Sequence, residues 1–272
     1  MQYIMFTKHL EGLDLDEIMA TLQRVGVQGA DLCVRPGYPV TPENAATALP
    51  DAMRRFRDAG LDIPLVTTPT NFQTPDNPDA ENLFSACGAA GVKYIKLGYW
   101  HWSPEEHYWD TMARVNDWLQ GFAELASRHG VTAVVHNHSG RSLGLNGSAA
   151  MQVVRDFNPA HVALFADAGH LSICGEPIDM ALDIMRSHLR VCAFKDLVHT
   201  TVQRNGRAMP ATRCVRMGEG LVDWQTTVEA LEAMDFSGPV SFHSEYAGEP
   251  VPTVIDLAAC DVRFINALRA DN

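Results

Sequence analysis

The segment from Val162 to His170 constrains the fold more than any other part of the sequence. Its apolar residues, 162–166, end abruptly at Asp167, and Gly169 and His170 follow. A short apolar run bounded by turn residues is typical of a strand that is buried on both faces. Such strands belong to parallel sheets covered by helices. We therefore predict an α/β fold in which Asp167 stands at the carboxyl end of a buried strand.

Three further apolar runs end in the same way. They are Val131–Val135 before His136-Asn137-His138, Val191–Phe194 before Lys195-Asp196, and Pro239–Phe242 before His243-Ser244-Glu245. In α/β barrels the carboxyl ends of the parallel strands meet at one mouth, and the active site is built there. The sequence therefore predicts that these polar strand ends converge.

Strand-like and helix-like segments alternate eight times along the 272 residues. This repeat and this length are typical of a (β/α)8 TIM barrel, which takes about 250 residues. We predict a single TIM-barrel domain over residues 1–272. Asp14 and Glu17 indicate a capping box at the first helix. Thr41-Pro42 predicts the start of the second, and Pro50 is expected to kink or interrupt it. The long connection Leu197–Gly220 is interpreted as a loop that covers the site.

Composition excludes several classes of partner. The formal net charge of −12 argues against nucleic acid and against anionic membranes, because both require a basic surface. The six cysteines include no C-x-x-C pair, so a structural zinc site is not expected. We find neither a signal peptide nor a run of 18 apolar residues. These features indicate a cytoplasmic protein.

The polar strand ends also suggest a metal centre. Side chains alternate along a strand, so His136 shares a face with His138, and His243 shares a face with Glu245. Together with Asp167 they offer imidazole and carboxylate ligands at one mouth. This ligand set suits one borderline divalent ion such as Mn, Co, Zn or Fe.

The same segments resemble those of the xylose isomerase-like TIM-barrel family, also called the sugar phosphate isomerase/epimerase superfamily. The resemblance covers nearly the whole chain. It identifies the superfamily specifically but gives only weak information about the substrate. It is carried by His136-Asn137-His138, Asp167-Ala168-Gly169-His170, Lys195-Asp196, Gly218-Glu219-Gly220, Glu245, Phe6-Thr7-Lys8-His9-Leu10 and Val34-Arg35-Pro36-Gly37.

The resemblance implies a metal held by residues of strands five to eight. Asp167 and Glu245 match the family's carboxylate ligands, and His136 falls where a glutamate is common. The usual strand-seven histidine is replaced by Ala193, and His243 is the expected substitute. The predicted ligands are therefore His136, Asp167, His243 and Glu245, with His138 as an alternative to His136. Loss of the metal site is the competing interpretation.

The resemblance further implies an isomerase or epimerase that moves a proton next to the carbonyl of a keto sugar or of a polyol-derived ketone. Glu245 and His138 would transfer the proton, and Lys195 would stabilise the negative charge that develops. A lyase or dehydratase acting on a 3-keto-sugar or 3-keto-glycoside is one alternative, and a partner-dependent or non-catalytic sugar-binding barrel is another. A homo-oligomer is possible. The predicted substrate-binding residues are Lys8, Arg35, Lys96, Trp100, His170 and Arg216.

Overall fold

Eight parallel strands form a closed barrel in the computed structural model, which describes residues 1–270. The barrel strands are β1 (Gln2–Phe6), β2 (Gly29–Cys33), β3 (Asp62–Thr67), β4 (Tyr94–Lys96), β5 (Thr132–His136), β6 (Val162–Asp167), β7 (Leu189–Phe194) and β10 (Pro239–Phe242). Around the barrel their order is β1-β10-β7-β6-β5-β4-β3-β2. The predicted TIM barrel is thereby confirmed.

Helices follow the barrel strands and cover the outside of the barrel. A short 3-10 turn, Thr7–Leu10, comes directly after β1. The helices found in residues 1–270 are α1 (Leu15–Val25), α2 (Ala45–Asp58), α3 (Ala80–Ala90), α4 (Tyr108–His129), α5 (Gly147–Val154), α6 (Ala168–Ile173), α7 (Ile178–Met185), α8 (Trp224–Ala233) and α9 (Val251–Ala270). None of these helices is both long enough and apolar enough to cross a membrane.

Two apolar layers hold the barrel together. The larger layer lies between the strands and the surrounding helices. The smaller layer fills the barrel interior and consists of Ile4, Leu65, Val134, Ala163, Phe165, Val191 and Ala193. Filling the interior with branched and aromatic side chains is usual for TIM barrels. This interior layer forms the floor on which the polar strand ends stand.

Of the two helix starts predicted from the sequence, one is confirmed and one is wrong. Asp14 and Glu17 form the predicted capping box at α1, which satisfies backbone donors of the first turn. Helix α2 begins at Ala45, so the predicted start at Thr41-Pro42 was wrong. Asn44 accepts a hydrogen bond from the Thr41 backbone N–H (2.7 Å), which keeps this segment in a turn. Helix α2 also continues past Pro50 and is not interrupted there.

The predicted loop Leu197–Gly220 is largely a β-hairpin. Its strands, β8 (Asp196–Arg204) and β9 (Arg207–Val215), pair in antiparallel register from Asp196–Val215 to Arg204–Arg207. Asn205 and Gly206 form the turn with positive φ values of 51° and 71°. An Asn-Gly pair is a strong signal for a two-residue hairpin turn, so the sequence contained the information that the loop interpretation missed.

The prediction of a single domain over residues 1–272 stays a prediction, and its last two residues lie outside the described part of the chain.

Candidate functional site

The carboxyl ends of the barrel strands surround a cavity of about 410 Å³. We call it the inner cavity. It lies directly above the apolar floor, because Phe165 belongs both to the floor and to the cavity wall. Its polar wall includes Lys8, Arg35, Lys96, Tyr99, His136, His138, Lys195, His243 and Glu245. The predicted convergence of polar strand ends therefore occurs at this mouth.

Three buried residues at the base of this cavity could hold a metal ion. His136 ends β5, Asp167 ends β6 and His243 follows β10. One ligand atom from each lies within 4.8 Å of the others. His136 Nε2 is 3.4 Å from Asp167 Oδ2, and His243 Nδ1 is 3.9 Å from the same oxygen. A cation placed between these atoms would replace the long contacts with short coordination bonds.

The protonation states of the cluster suit metal coordination. Burial lowers the pKa of His136 to about 3, so its imidazole is neutral at neutral pH. Burial alone would raise the pKa of Asp167, but Lys195 and His170 hold it well below its usual range. Within residues 1–270, His136 Nε2 is a buried polar atom without a hydrogen-bond partner, and Asp167 Oδ2, also without a hydrogen bond, is ion-paired with Lys195. Buried atoms of this kind usually have a ligand, a water or an ion, so the residues fit a divalent metal.

Asp31 orients His243 and was missed by the sequence analysis. It is fully buried on β2, and its Oδ2 lies 3.3 Å from His243 Nε2. When Nε2 carries the proton, the lone pair of Nδ1 faces Asp167. A carboxylate behind a metal-binding histidine is common because it sets the tautomer and the ring orientation. The signal that the sequence offered was Asp31 itself, because it is an acidic residue within the otherwise apolar segment of residues 30–34.

An Asp31→Asn variant should bind a divalent metal about 10- to 100-fold more weakly, since the carboxylate that orients His243 is lost. Ser241 and Thr67 also donate to Asp31, and the amide keeps one acceptor for them. Competition with a chromophoric chelator measures the affinity. Asp62→Asn, at the amino end of β3 and far from the mouth, is the matched control. If the metal affinity of Asp31→Asn is within threefold of the wild-type affinity, Asp31 does not support metal binding.

Glu245 lies beside the cluster but is not part of it. Its two carboxylate oxygens are paired with Lys8 and with Lys195, the latter at 2.9 Å. Burial would raise the pKa of Glu245, but Lys195, His243 and Lys8 hold it well below its usual range. In this geometry the predicted fourth ligand binds two ammonium groups instead.

Lys195 places a positive charge between the two carboxylates. Its Nζ is 3.0 Å from Asp167 Oδ2 and 2.9 Å from Glu245 Oε2. Burial would lower the pKa of Lys195, but the two carboxylates together raise it far above its usual value, so the side chain stays protonated. The ammonium group therefore lies where it can either balance these charges or contact a substrate oxygen.

His138 and His170 form a second imidazole pair at the rim of the cluster. Their ring centroids are 3.9 Å apart. His138 Nδ1–H donates to the Ser139 carbonyl at 3.0 Å, which leaves the lone pair of Nε2 free. Burial lowers the pKa of both histidines, so His138 is a neutral group able to accept a proton. The His170 backbone N–H donates to Asp167 Oδ1 at 3.0 Å, and this bond orients the carboxylate.

The predicted substrate-binding residues Lys96 and Arg35 also line the inner cavity. Lys96 is 2% exposed, and its Nζ lies 3.5 Å from the centre of the Tyr99 ring. Burial lowers the pKa of Lys96 to about 7. Arg35 is held in place by a hydrogen bond from Nε to the Thr68 carbonyl (3.0 Å). Tyr99, which was not selected from the sequence, also brings its hydroxyl to 3.4 Å from His136 Nδ1.

Three predicted substrate-binding residues are outside the lining of the inner cavity, namely Trp100, Arg216 and the rim residue His170. Trp100 is buried in the outer apolar layer, and its indole N–H donates to the Gln73 carbonyl (2.9 Å). It therefore packs against the barrel, and Tyr99 takes the position facing the cavity. Arg216 lines a neighbouring cavity below the hairpin. Ala193 belongs to the apolar floor and offers no ligand.

Asp261 on α9 holds the segment around Glu245. It is 2% exposed and accepts hydrogen bonds from Ser244 Oγ (2.7 Å) and from Tyr246 Oη (2.8 Å). These two residues flank Glu245 in the sequence. The bonds restrict the backbone that carries the Glu245 side chain, and no local sequence pattern indicated this contact.

The sequence matches a known family over most of its length. The model of the family described as xylose isomerase-like TIM barrel matches residues 19–260. The chain is 28% identical over 173 residues to L-ribulose-5-phosphate 3-epimerase UlaE from Shigella flexneri serotype 5b (strain 8401), which covers 63% of this chain and 56% of that relative. The matched part thus spans little more than half of the relative.

Two further similarities concern a dehydratase and a solved structure. The chain is 25% identical over 140 residues to inosose dehydratase from Geobacillus thermodenitrificans (strain NG80-2), with 49% of this chain and 46% of that relative covered. The fold is similar to the crystal structure of the IolI protein with a zinc atom, with a TM-score of 0.74 and 17% identity. That match covers 97% of this chain and 98% of the other.

Proposed function

The chain belongs to the xylose isomerase-like TIM-barrel family, and on that basis we propose that it is a metal-dependent isomerase or epimerase acting on a keto sugar. The observation that carries the proposal is the cluster of His136, Asp167 and His243 at the base of the inner cavity. Similarity to a ribulose-phosphate epimerase supports the same class of reaction.

The proposed metal ligands are His136, Asp167 and His243, with Glu245 joining them when its lysine partners move. A bound divalent ion would polarise the substrate carbonyl and acidify the neighbouring C–H bond. The ion is proposed to be Mn, Co, Zn or Fe, and the zinc atom in the related IolI structure supports this range.

The proposed proton-transfer residues are Glu245 and His138, which both line the inner cavity. One takes the proton from the carbon next to the carbonyl, and return of a proton to the other face or to the neighbouring carbon completes the reaction. Lys195, freed from Glu245, would donate a hydrogen bond to the oxygen that becomes negative. Lys8, Arg35, Lys96 and His170 are proposed to bind the sugar hydroxyl groups.

Proton NMR of keto sugars incubated in D2O with the metal-loaded protein tests the reaction. We expect an isomer or epimer that carries solvent deuterium at the reacting carbon. Glu245→Gln should slow this exchange by about 100-fold or more, the usual contribution of a positioned acid or base. Glu124→Gln, exposed on α4, is the matched control. A protein that exchanges no proton with any keto sugar would contradict the proposal.

The similarity to inosose dehydratase favours one second candidate, a lyase that removes water or an alkoxide next to the carbonyl of a 3-keto-sugar or 3-keto-glycoside. The same NMR experiment separates the two reactions, because elimination gives a new enone signal. A sugar-binding barrel that needs a partner chain would give neither product.

The cellular location and the assembly stay predictions. All six cysteines are free, which is usual in a reducing cytoplasm and supports the predicted location. The homo-oligomer, for which helix faces rich in Ala and Met are the support, stays a prediction.

A further inference from the structure

A second cavity of about 530 Å³ opens beside the inner cavity. We call it the outer cavity. Both are lined by Lys8, His138, Lys195 and Glu245, so they meet at the proposed proton-transfer residues. Each has a volume within the range of about 300–1,000 Å³ that is usual for a complete small-molecule site. The two together offer more space than one sugar ring needs.

The wall of the outer cavity is formed by the base of the β8–β9 hairpin. Thr212, Arg213, Cys214 and Val215 of β9 line it. This base is tied to the barrel by Asp196, which is fully buried. Asp196 accepts hydrogen bonds from the backbone N–H groups of Gly218 (2.9 Å) and Gly220 (3.1 Å) and from the Trp224 indole (3.0 Å). A wall held in this way is preorganised, which lowers the entropy lost on binding.

Besides the ion-paired Lys8, Lys195 and Glu245, four charged side chains line the outer cavity and are available to a ligand. Arg213 and Arg216 face the same cavity as Glu219 and Glu249. In the part of the chain that the structure describes, none of these four side chains forms an ion pair or a hydrogen bond with the protein. Two cations with two anions suit a neutral group that both donates and accepts hydrogen bonds. A phosphate bound among these four side chains would meet as many negative as positive charges.

We infer that the outer cavity binds a second sugar ring, so that the substrate is a keto sugar carrying a glycosidic substituent and not a free monosaccharide. This inference rests on the proposed function, because the ring that reacts is assigned to the inner cavity. The second ring would lie over Lys195 and Glu245, below the hairpin base, and its hydroxyl groups would bond to the arginine and glutamate side chains.

The test compares two substrates that differ only in the second ring: a methyl 3-keto-glucoside and a disaccharide oxidised at C3 of its non-reducing glucose. The rate of deuterium exchange with the metal-loaded full-length protein gives kcat/KM for each. We expect the disaccharide to be preferred at least tenfold. The double variant Arg213→Ala, Arg216→Ala should reduce that preference to less than threefold.

A shortened hairpin is the matched control. Residues 201–210 are all exposed, and Thr200 pairs with Ala211, so an Asn-Gly turn can join these two residues. This variant keeps the cavity wall and should keep the preference. Equal rates for the two substrates, or a preference for the monosaccharide, would overturn the inference.

If the proposed isomerase or epimerase function is wrong, the outcome of the exchange experiment differs from the outcomes described above. If neither substrate exchanges a proton, titration calorimetry with the same two ligands decides the inference on its own. Tighter binding of the disaccharide that is weakened in the double variant would support the second-ring site. Equal binding of both ligands, or no binding of either, would overturn it.

Discussion

An Asp167→Asn variant is expected to lose metal binding and almost all activity. Asp167 Oδ2 is the atom that His136 and His243 both approach, and the amide removes its negative charge while keeping the side-chain shape. If the metal contributes about 4 kcal/mol to transition-state stabilisation, the rate should fall by roughly 1,000-fold. Elemental analysis of the purified variant and the D2O exchange rate measure the two losses.

The fold of this variant should survive. The asparagine oxygen can still accept the hydrogen bond from the His170 backbone that now goes to Asp167 Oδ1, so far-UV circular dichroism should match the wild type. Asp183→Asn, exposed on α7, is the control and should retain metal and activity. Unchanged metal content in Asp167→Asn would show that the ion, if present, binds elsewhere.

A Lys195→Met variant should be strongly destabilised without metal and partly restored by it. The methionine leaves Asp167 and Glu245 without the ammonium group that contacts both. Breaking a buried ion pair by removing one partner costs about 3–5 kcal/mol. A divalent ion would supply positive charge at the same carboxylates and should recover a large part of this free energy of unfolding. Urea unfolding in chelator and in saturating metal gives both values.

Lys93→Met is the matched control for this experiment, since Lys93 is an exposed lysine on the loop before β4. It should change the free energy of unfolding by less than about 0.5 kcal/mol, as is usual for surface substitutions. If Lys195→Met is as stable as the wild type in chelator, the ammonium group does not balance the two carboxylates. If metal adds no stability to it, the carboxylates do not bind the ion.

The competing interpretation is that the metal site has been lost, and the contacts of Lys195 are relevant to it because its ammonium group lies beside the proposed ligands. In the family pattern a histidine precedes this lysine by two residues, whereas here Ala193 contributes only a methyl group to the apolar floor. The protonated Lys195 then contacts both Asp167 and Glu245, and Lys8 contacts the second oxygen of Glu245. Metal binding must displace or share this ammonium group, so we expect the ion to bind more tightly as the lysine is removed.

Much of the barrel could be predicted because its signals are local. A short apolar run such as residues 162–166, bounded by turn residues, is typical of a buried strand, and the polar residue that ends such a strand in a barrel stands at the mouth. Asp14 and Asp223 likewise mark helix starts through hydrogen bonds to residues three positions away. The hairpin signal of Asn205-Gly206 was equally local, and only its interpretation was wrong.

The sequence by itself therefore predicted the barrel strands and the order of their polar ends. It also predicted that His136, Asp167 and His243 lie close together, and one ligand atom from each lies within 4.8 Å of the others. Only the tertiary structure decided that Glu245 binds Lys8 and Lys195 and that Asp31 lies behind His243. The physical reason is that side-chain alternation is a property of one strand. The distance between side chains of different strands depends on barrel stagger and on rotamers, which packing throughout the interior sets.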